Sequence, residues 1–260
     1  EHMKPLGFGQ ITGIDILGES RGVLPSTEWK RTTYKKAEQQ RWYSGETISL
    51  GIGQGYNSFT MLQIAHATAT IANNGLKMRP HIVREVLDVE TKAPTPVAKE
   101  PIGQLPLSPE NLDIIKRAMI GVNIEGTSAS SFVGAQYVSA GKTGTAQVYT
   151  VKQNEKYNAA TVDERMRDHA LFIAFAPADE PKVALAMVVE NSGFGAQNAA
   201  PIARRVFDFV ILGQYPSEED IAAVQKGQAT RPIGKPRDVA SVPWPPKTIT
   251  ANAAPIPEKP

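Results

Sequence analysis

Lys142, Thr143, Gly144 and Thr145 stand in a row between Val138-Ser139-Ala140-Gly141 and Ala146-Gln147-Val148, in a stretch with strand character. On an edge strand, these four residues can serve a carbonyl-bearing substrate directly. A substrate laid alongside meets the backbone N–H of Thr145, which can polarise a developing oxyanion, while the two hydroxyls and the Lys142 cation attract a carboxylate. Gly144 has no side chain to obstruct that approach. Taken by themselves, the same residues also fit a structural strand bearing an incidental lysine, and both readings stand at this point.

Two glycine patterns do not support nucleotide binding. Gly51-Ile52-Gly53-Gln54-Gly55-Tyr56 fails the dinucleotide fingerprint, because Ser58 stands where its third glycine belongs and no strand-helix-strand unit surrounds it. Gly141-Lys142-Thr143 resembles the end of a phosphate loop, but Gln136 replaces the required glycine and the following residues read as a strand. Asp168-His169 suggests a base and its orienter, yet neighbours on a strand point to opposite faces, which favours a cap before the strand. His2, His66, His81 and His169 lack metal-ligand spacing, so no metal and no cofactor is expected.

The elements that must position the lysine strand follow from periodicity. Thr60 and Gln63 have capping-box spacing and Asn73-Asn74-Gly75 supplies a stop, predicting a helix over about 61–73 with His66 packed within it. Alternation over His81 to Val89 suggests a strand, and Pro94 to Pro109 a proline-spaced connection. Ser108-Pro109-Glu110 opens a helix through about Ile120. Apolar runs at 137–140, 169–176 and 182–190, followed by a helix over about 198–212, parse as three strands and a closing helix. Short loops make the pairing antiparallel, so the class is α+β: an antiparallel sheet flanked by helices. Residues 1–50 are turn-rich, and Lys30, Arg31, Lys35, Lys36 and Arg41 read as a solvated basic loop or helix face. From 214 to 260 apolar periodicity is lost and eight prolines follow Arg231, predicting a disordered or extended tail after a domain over 1–213.

Composition narrows the classes further. The chain has 260 residues with a formal net charge of +2, which argues against a nucleic-acid binder driven by bulk charge. It has no cysteine, excluding thiolate catalysis and disulfides. No apolar run approaches the roughly 18 residues of a membrane span, and Glu1-His2-Met3-Lys4-Pro5 lacks the features of a signal peptide, so the chain reads as cut from something longer.

K-T-G-T on a strand resembles the third signature motif of the penicillin-recognising serine enzymes. Gly51-Ile52-Gly53-Gln54-Gly55-Tyr56, Gly141 to Val148, Tyr157-Asn158-Ala159, Glu164 to His169 and Phe175-Ala176-Pro177 occur in the order found in the penicillin-binding protein 2 family, over roughly residues 6–212. This resemblance implies a peptidoglycan D,D-transpeptidase with the penicillin-binding transpeptidase, or serine β-lactamase-like, fold. Such an enzyme attacks a D-Ala-D-Ala stem peptide with serine, forms an acyl-enzyme and passes the acyl group to another stem's amine. β-Lactams acylate the same serine. It further implies that Lys142 orients the hydroxyl network and helps transfer protons. Thr143, Gly144 and Thr145 would line the substrate site, and the Thr145 N–H would supply half of the oxyanion hole.

The family also needs an S-x-x-K bearing the nucleophile and an S-x-N, and neither is expected here. The one literal S-x-x-K, Ser139-Ala140-Gly141-Lys142, overlaps the strand motif, and no S-x-N occurs; Thr27-Glu28-Trp29-Lys30 offers threonine. The nucleophile is therefore placed upstream, the domain is read as incomplete at its N-terminal side, and this chain is expected to be inactive and aggregation-prone without that half. Family knowledge adds a periplasmic parent anchored in the inner membrane, with a glycan-strand polymerase and elongation-machinery scaffold proteins as partners. The alternatives are a non-catalytic peptide- or partner-binding module that keeps the groove, and a β-lactamase-like hydrolase.

Overall fold

A computed structural model describes residues 3–148, 157–158, 161–228 and 230–242. Three helices, α1 (Thr27–Thr33), α2 (Ala37–Gln40) and α3 (Ser44–Gly51), run through the turn-rich opening. They are followed by α4 (Met61–Ala72), which starts where expected: the Thr60 hydroxyl accepts from the Gln63 N–H while the Gln63 side chain accepts from Thr60. Asn73 closes it.

Residues 76–104 hold more pairing than periodicity predicts. β1 (Leu76–Met78) pairs with β4 (Pro101–Gln104), and β2 (Glu85–Leu87) pairs with β3 (Pro94–Pro96) in a short exposed hairpin. The expected 81–89 strand thus shrinks to three residues, and the proline-spaced connection carries two strands. Proline is tolerated there because both sheets have only two strands, leaving its missing N–H on a free edge. α5 (Pro109–Ile124) begins at the Ser108 cap and continues a turn beyond expectation, before α6 (Ala129–Phe132).

The central sheet has the order β5 (Ala140–Ala146), β6 (His169–Ala176), β7 (Val183–Val189), all antiparallel. The first strand starts three residues later than the 137–140 run and continues through the whole lysine motif. α7 (Gly195–Asn198) leads into α8 (Ala200–Leu212), which ends on Gly213 in the left-handed conformation, φ 63°.

Helices cover both faces of β6, burying Ala170, Phe172, Ala174 and Ala176 on one face and leaving Leu171 and Ile173 half-buried on the other. Ala170, Phe172 and Ala174 pack with Phe132 of α6 and Ala203 and Phe207 of α8; Phe175 packs with Ala72 of α4 and Met119 of α5. Each fully buried Phe stabilises by roughly 1.5–3 kcal/mol relative to exposure.

Two expectations are corrected. Lys30 is not solvated but 3% exposed, ringed by aromatic residues. The extended tail is not extended over 214–242: β8 (Gln214–Tyr215) pairs with β9 (Arg237–Asp238) around α9 (Glu218–Gln225). Polar contacts hold this segment, with Arg205 donating to both oxygens of fully buried Asp220 at 2.8 and 2.6 Å and Ser217 donating to the Ile233 carbonyl at 2.7 Å. The expectation for 243–260 lies outside the described residues. Among the described residues no helix is long and apolar enough to cross a membrane.

Candidate active-site groove

β5 pairs only with β6, so its other side is an open sheet edge among the described residues. In an antiparallel strand the N–H and C=O of one residue point the same way, and successive residues alternate. The Thr145 carbonyl accepts from the Gln54 side-chain amide at 3.3 Å, and Gln54 belongs to no strand of the sheet. The Thr145 N–H therefore also faces the open edge, and so does the backbone of Thr143.

Side chains alternate across the sheet in the same way. Thr143 stands opposite Phe172 and Thr145 opposite Ala170, so both hydroxyls lie on the face that α6 and α8 cover. There an open cavity of about 320 Å³ is lined by Thr127, Thr143, Gly144, Thr145 and the Phe194–Gln197 segment. Its far wall needs a glycine: a Cβ on Gly195 would overlap the carbonyl oxygens of Leu171 and Gly144. Phe194, 65% exposed, presents an apolar ring beside it.

Lys142 stands opposite Ile173, on the other face, and does not line this cavity. Its side chain is exposed and its Nζ donates to the Thr143 carbonyl at 2.7 Å, on the open edge. Of the expected site residues, then, Thr143, Gly144 and Thr145 come together in one cavity, and Lys142 reaches the same edge from the opposite face.

Ser139 of the coincidental S-x-x-K is 3% exposed and accepts from the Asn123 amide at 2.8 Å, which leaves it turned into the protein. Asp168 and His169 do not form a base and orienter: His169 Nδ1 accepts the backbone N–H of Asn191 at 2.9 Å. His66 is packed, and its Nε2 donates to the Met78 carbonyl at 2.7 Å. Burial holds its pKa below the ordinary 6.5, against the pull of that carbonyl bond.

Three features of the groove escaped sequence reasoning. The first is Gln54, whose side chain is turned out by Gly53 and Gly55, both left-handed at φ 79° and 69°. The glycine pattern is thus a turn that aims an amide at β5. The second is Thr127, whose hydroxyl lies 2.9 Å from that of Thr143. The third is the support beneath Gln54, the environment of Lys30. Its Nζ donates to the Arg41 carbonyl at 2.7 Å and to the Glu46 carboxylate, and sits 5.2–5.9 Å from the rings of Trp42, Tyr43 and Tyr56. Glu46 also accepts from the Tyr56 hydroxyl and the Tyr43 N–H, each at 2.9 Å. The aromatic residues interleaved with the basic run were the available signal.

This sheet edge, with K-T-G-T on it and helices over both faces, has the form of a penicillin-binding transpeptidase. The penicillin binding protein transpeptidase domain model matches residues 1–208, and the chain belongs to that family. Within it, the chain is 41% identical over 226 residues to the peptidoglycan D,D-transpeptidase MrdA of Haemophilus influenzae, covering 84% of this chain and 33% of that protein. It is 38% identical to MrdA of Escherichia coli K12, covering 82% and 33%. Among solved structures, Pseudomonas aeruginosa PBP2 in complex with WCK 5153 is 38% identical with a TM-score of 0.63, covering 81% of this chain and 42% of that one. PBP2 of Helicobacter pylori in complex with MreC is 28% identical with a TM-score of 0.62, covering 81% and 35%. The chain spans about a third of the length of these curated relatives.

Proposed function

We propose that this chain is the C-terminal part of the transpeptidase domain of a peptidoglycan D,D-transpeptidase, with the open edge of β5 as its substrate groove. The observation that carries the reading is the outward-facing backbone of Thr145 beside the cavity that Thr143, Gly144 and Thr145 line. A stem peptide ending in D-Ala-D-Ala aligns along this edge, with its terminal carboxylate toward the hydroxyls of Thr143 and Thr145. A serine supplied by an upstream segment attacks the carbonyl carbon of the penultimate D-Ala. As that C–O bond forms, the Thr145 N–H stabilises the negative carbonyl oxygen, a contribution worth about 3 kcal/mol. The C–N bond to the terminal D-Ala breaks, and the serine proton passes to the leaving amine through a relay that Lys142 orients. An amine from a second stem then attacks the ester, forming the cross-link and returning a proton to the serine. β-Lactams enter the same groove and stop at the acyl-enzyme.

The chain by itself is inactive in this reading, because Ser139 is turned into the core and no other serine has a lysine three residues on. The parent protein works in the periplasm from an inner-membrane anchor. Its partners are a scaffold protein, by likeness to the MreC complex of the Helicobacter pylori protein, and a glycan-strand polymerase.

Acylation by a fluorescent penicillin, read on denaturing gels, tests this on the chain and on a version extended upstream to the length of its relatives. Labelling of the extended protein only, lost in Lys142→Ala, is expected. Labelling of the chain itself would reinstate Ser139 as a candidate, and no labelling of either would leave a peptide-binding groove without catalysis.

A further inference from the structure

We propose that Thr127 is a positioning residue of the groove: it fixes the hydroxyl of Thr143 so that the Thr143 proton points at a substrate carboxylate. The inference rests on the transpeptidase reading above and adds a residue from outside the K-T-G-T strand.

The Thr127 and Thr143 oxygens are 2.9 Å apart, within hydrogen-bond reach, and both residues line the cavity. Two hydroxyls bring two protons, and the contact uses one of them. If Thr143 donates to Thr127, the lone pairs of Thr143 are left for the ligand, which suits a donor. If Thr127 donates to Thr143, the Thr143 proton is free for an anion. A carboxylate selects the second arrangement, and the hydrogen bond from Thr127 polarises the O–H that meets it.

Thr127 is itself exposed, yet its position is fixed from below. It lies in the turn between α5 and α6, where a Cβ on Gly126 would come within 2.7 Å of Val122 Cα, so the turn is closed tightly. The next residue, Ser128, is fully buried and donates to Asn123 Oδ1 at 2.6 Å, and the Asn123 amide donates to Ser139 Oγ at 2.8 Å, immediately before β5. This buried chain couples the turn to the strand. The spacing of the two threonine hydroxyls is therefore set by groups that never touch substrate.

The test uses the extended protein and compares second-order acylation by benzylpenicillin, which carries a carboxylate, with acylation by its neutral methyl ester, each in competition with a fluorescent penicillin. Thr127→Val keeps the shape and removes the hydroxyl. We expect acylation by the acid to fall roughly three- to tenfold, the range for one lost hydrogen bond, with the ester nearly unchanged. Thr127→Ser should restore the acid rate, and Thr143→Val should cancel most of the Thr127 effect in the double variant. Equal losses for acid and ester would mark Thr127 as merely structural and overturn the proposal, as would no change for either. If Thr127→Val does not fold, Thr127→Ala carries the same comparison. If the unsubstituted extended protein is not acylated by the acid, the transpeptidase reading itself fails and this inference falls with it.

Discussion

Lys30 and Lys142 carry the same cation into opposite circumstances. Lys30 is enclosed, with Glu46, the Arg41 carbonyl and three aromatic rings around one ammonium. Lys142 is exposed at a sheet edge and, among the described residues, its ammonium holds one backbone carbonyl, that of its own neighbour Thr143. An ammonium has three donors. Lys30 uses its donors within the fold, while Lys142 keeps capacity for something that arrives. Charges that the protein satisfies internally hold it together, and charges left with unused donors are available for chemistry.

Exchanging the two roles by mutation should separate them cleanly. Lys142→Ala in the extended protein is expected to lower penicillin acylation by about 10²–10⁴-fold, the scale of a lost proton-transfer group, while its Tm moves little. Lys30→Met should do the reverse: Tm falls by roughly 5–10 °C, because Glu46 and the aromatic ring lose their centre, and the molecules that remain folded are still acylated. A large Tm loss in Lys142→Ala would break the comparison, since the edge lysine would then be structural as well.

Asp220 sharpens the same contrast from the carboxylate side. It is fully buried, and besides its two bonds from Arg205 it accepts from the Ile233 N–H at 3.2 Å. Asp220→Ala strands the Arg205 guanidinium, which is 11% exposed, and is expected to cost about 3–5 kcal/mol in chemical denaturation. The Arg117–Asp113 pair, at 69% and 60% exposure, should lose at most about 1 kcal/mol when broken. A loss for Asp220→Ala no larger than that of the surface pair would mean that burial adds nothing to the Arg205–Asp220 link.

These contrasts also explain what a reader of the sequence could see. The α4 and α5 starts were legible because capping is local: Thr60 needs only Gln63, and Ser108 only Asn111. The lysine strand was legible as a motif. Its partners were not, because Gln54 meets Thr145 across 91 positions and Thr127 meets Thr143 across 16, with no periodicity linking them. The 214–242 segment escaped for a related reason: polar pairs hold it, and hydrophobic patterning detects only apolar burial. Lys30 was misread because a basic run is usually solvated, and burial becomes possible only when Glu46 and the rings arrive from 12 to 26 residues away.

Gln54 tests whether the structural knot and the proposed groove edge are connected. Tyr56 joins the Lys30 cluster and Gln54 touches Thr145, two residues apart on one turn. Gln54→Leu should lower acylation roughly three- to tenfold by releasing the Thr145 peptide, with a small change in Tm. If Lys30→Met loosens the same turn, the two substitutions combined should cost less in rate than the product of their separate effects. Independent, multiplicative losses would show that the knot supports the fold without aiming the groove.

The smallest effect expected is in the acid dependence of stability, and it distinguishes two partly buried groups. The hydrogen bond from Lys30, with the Tyr43 N–H, holds the Glu46 pKa below its ordinary 4.5 against the opposing effect of burial. Its stabilisation is therefore complete above pH 4.5 and is lost as pH falls through the lower folded value. Burial keeps the His66 pKa below 6.5, so the unfolded chain takes up its proton first and stability begins to fall below pH 6.5. For Lys30, burial lowers the pKa but the Glu46 bond and charge outweigh it and raise it above 10.5; that contribution is complete below pH 10.5 and disappears as pH rises through the folded value. Tm measured from pH 8 down to 3 should thus decline in two stages. Lys30→Met should make the stage below 4.5 shallower, with Asp15, Glu19, Asp88 and Glu110, whose pKa values are also lowered, supplying the rest, and should leave the stage beginning at 6.5; His66→Gln should do the opposite. A single stage that neither substitution alters would assign acid sensitivity to other carboxylates and separate it from both groups.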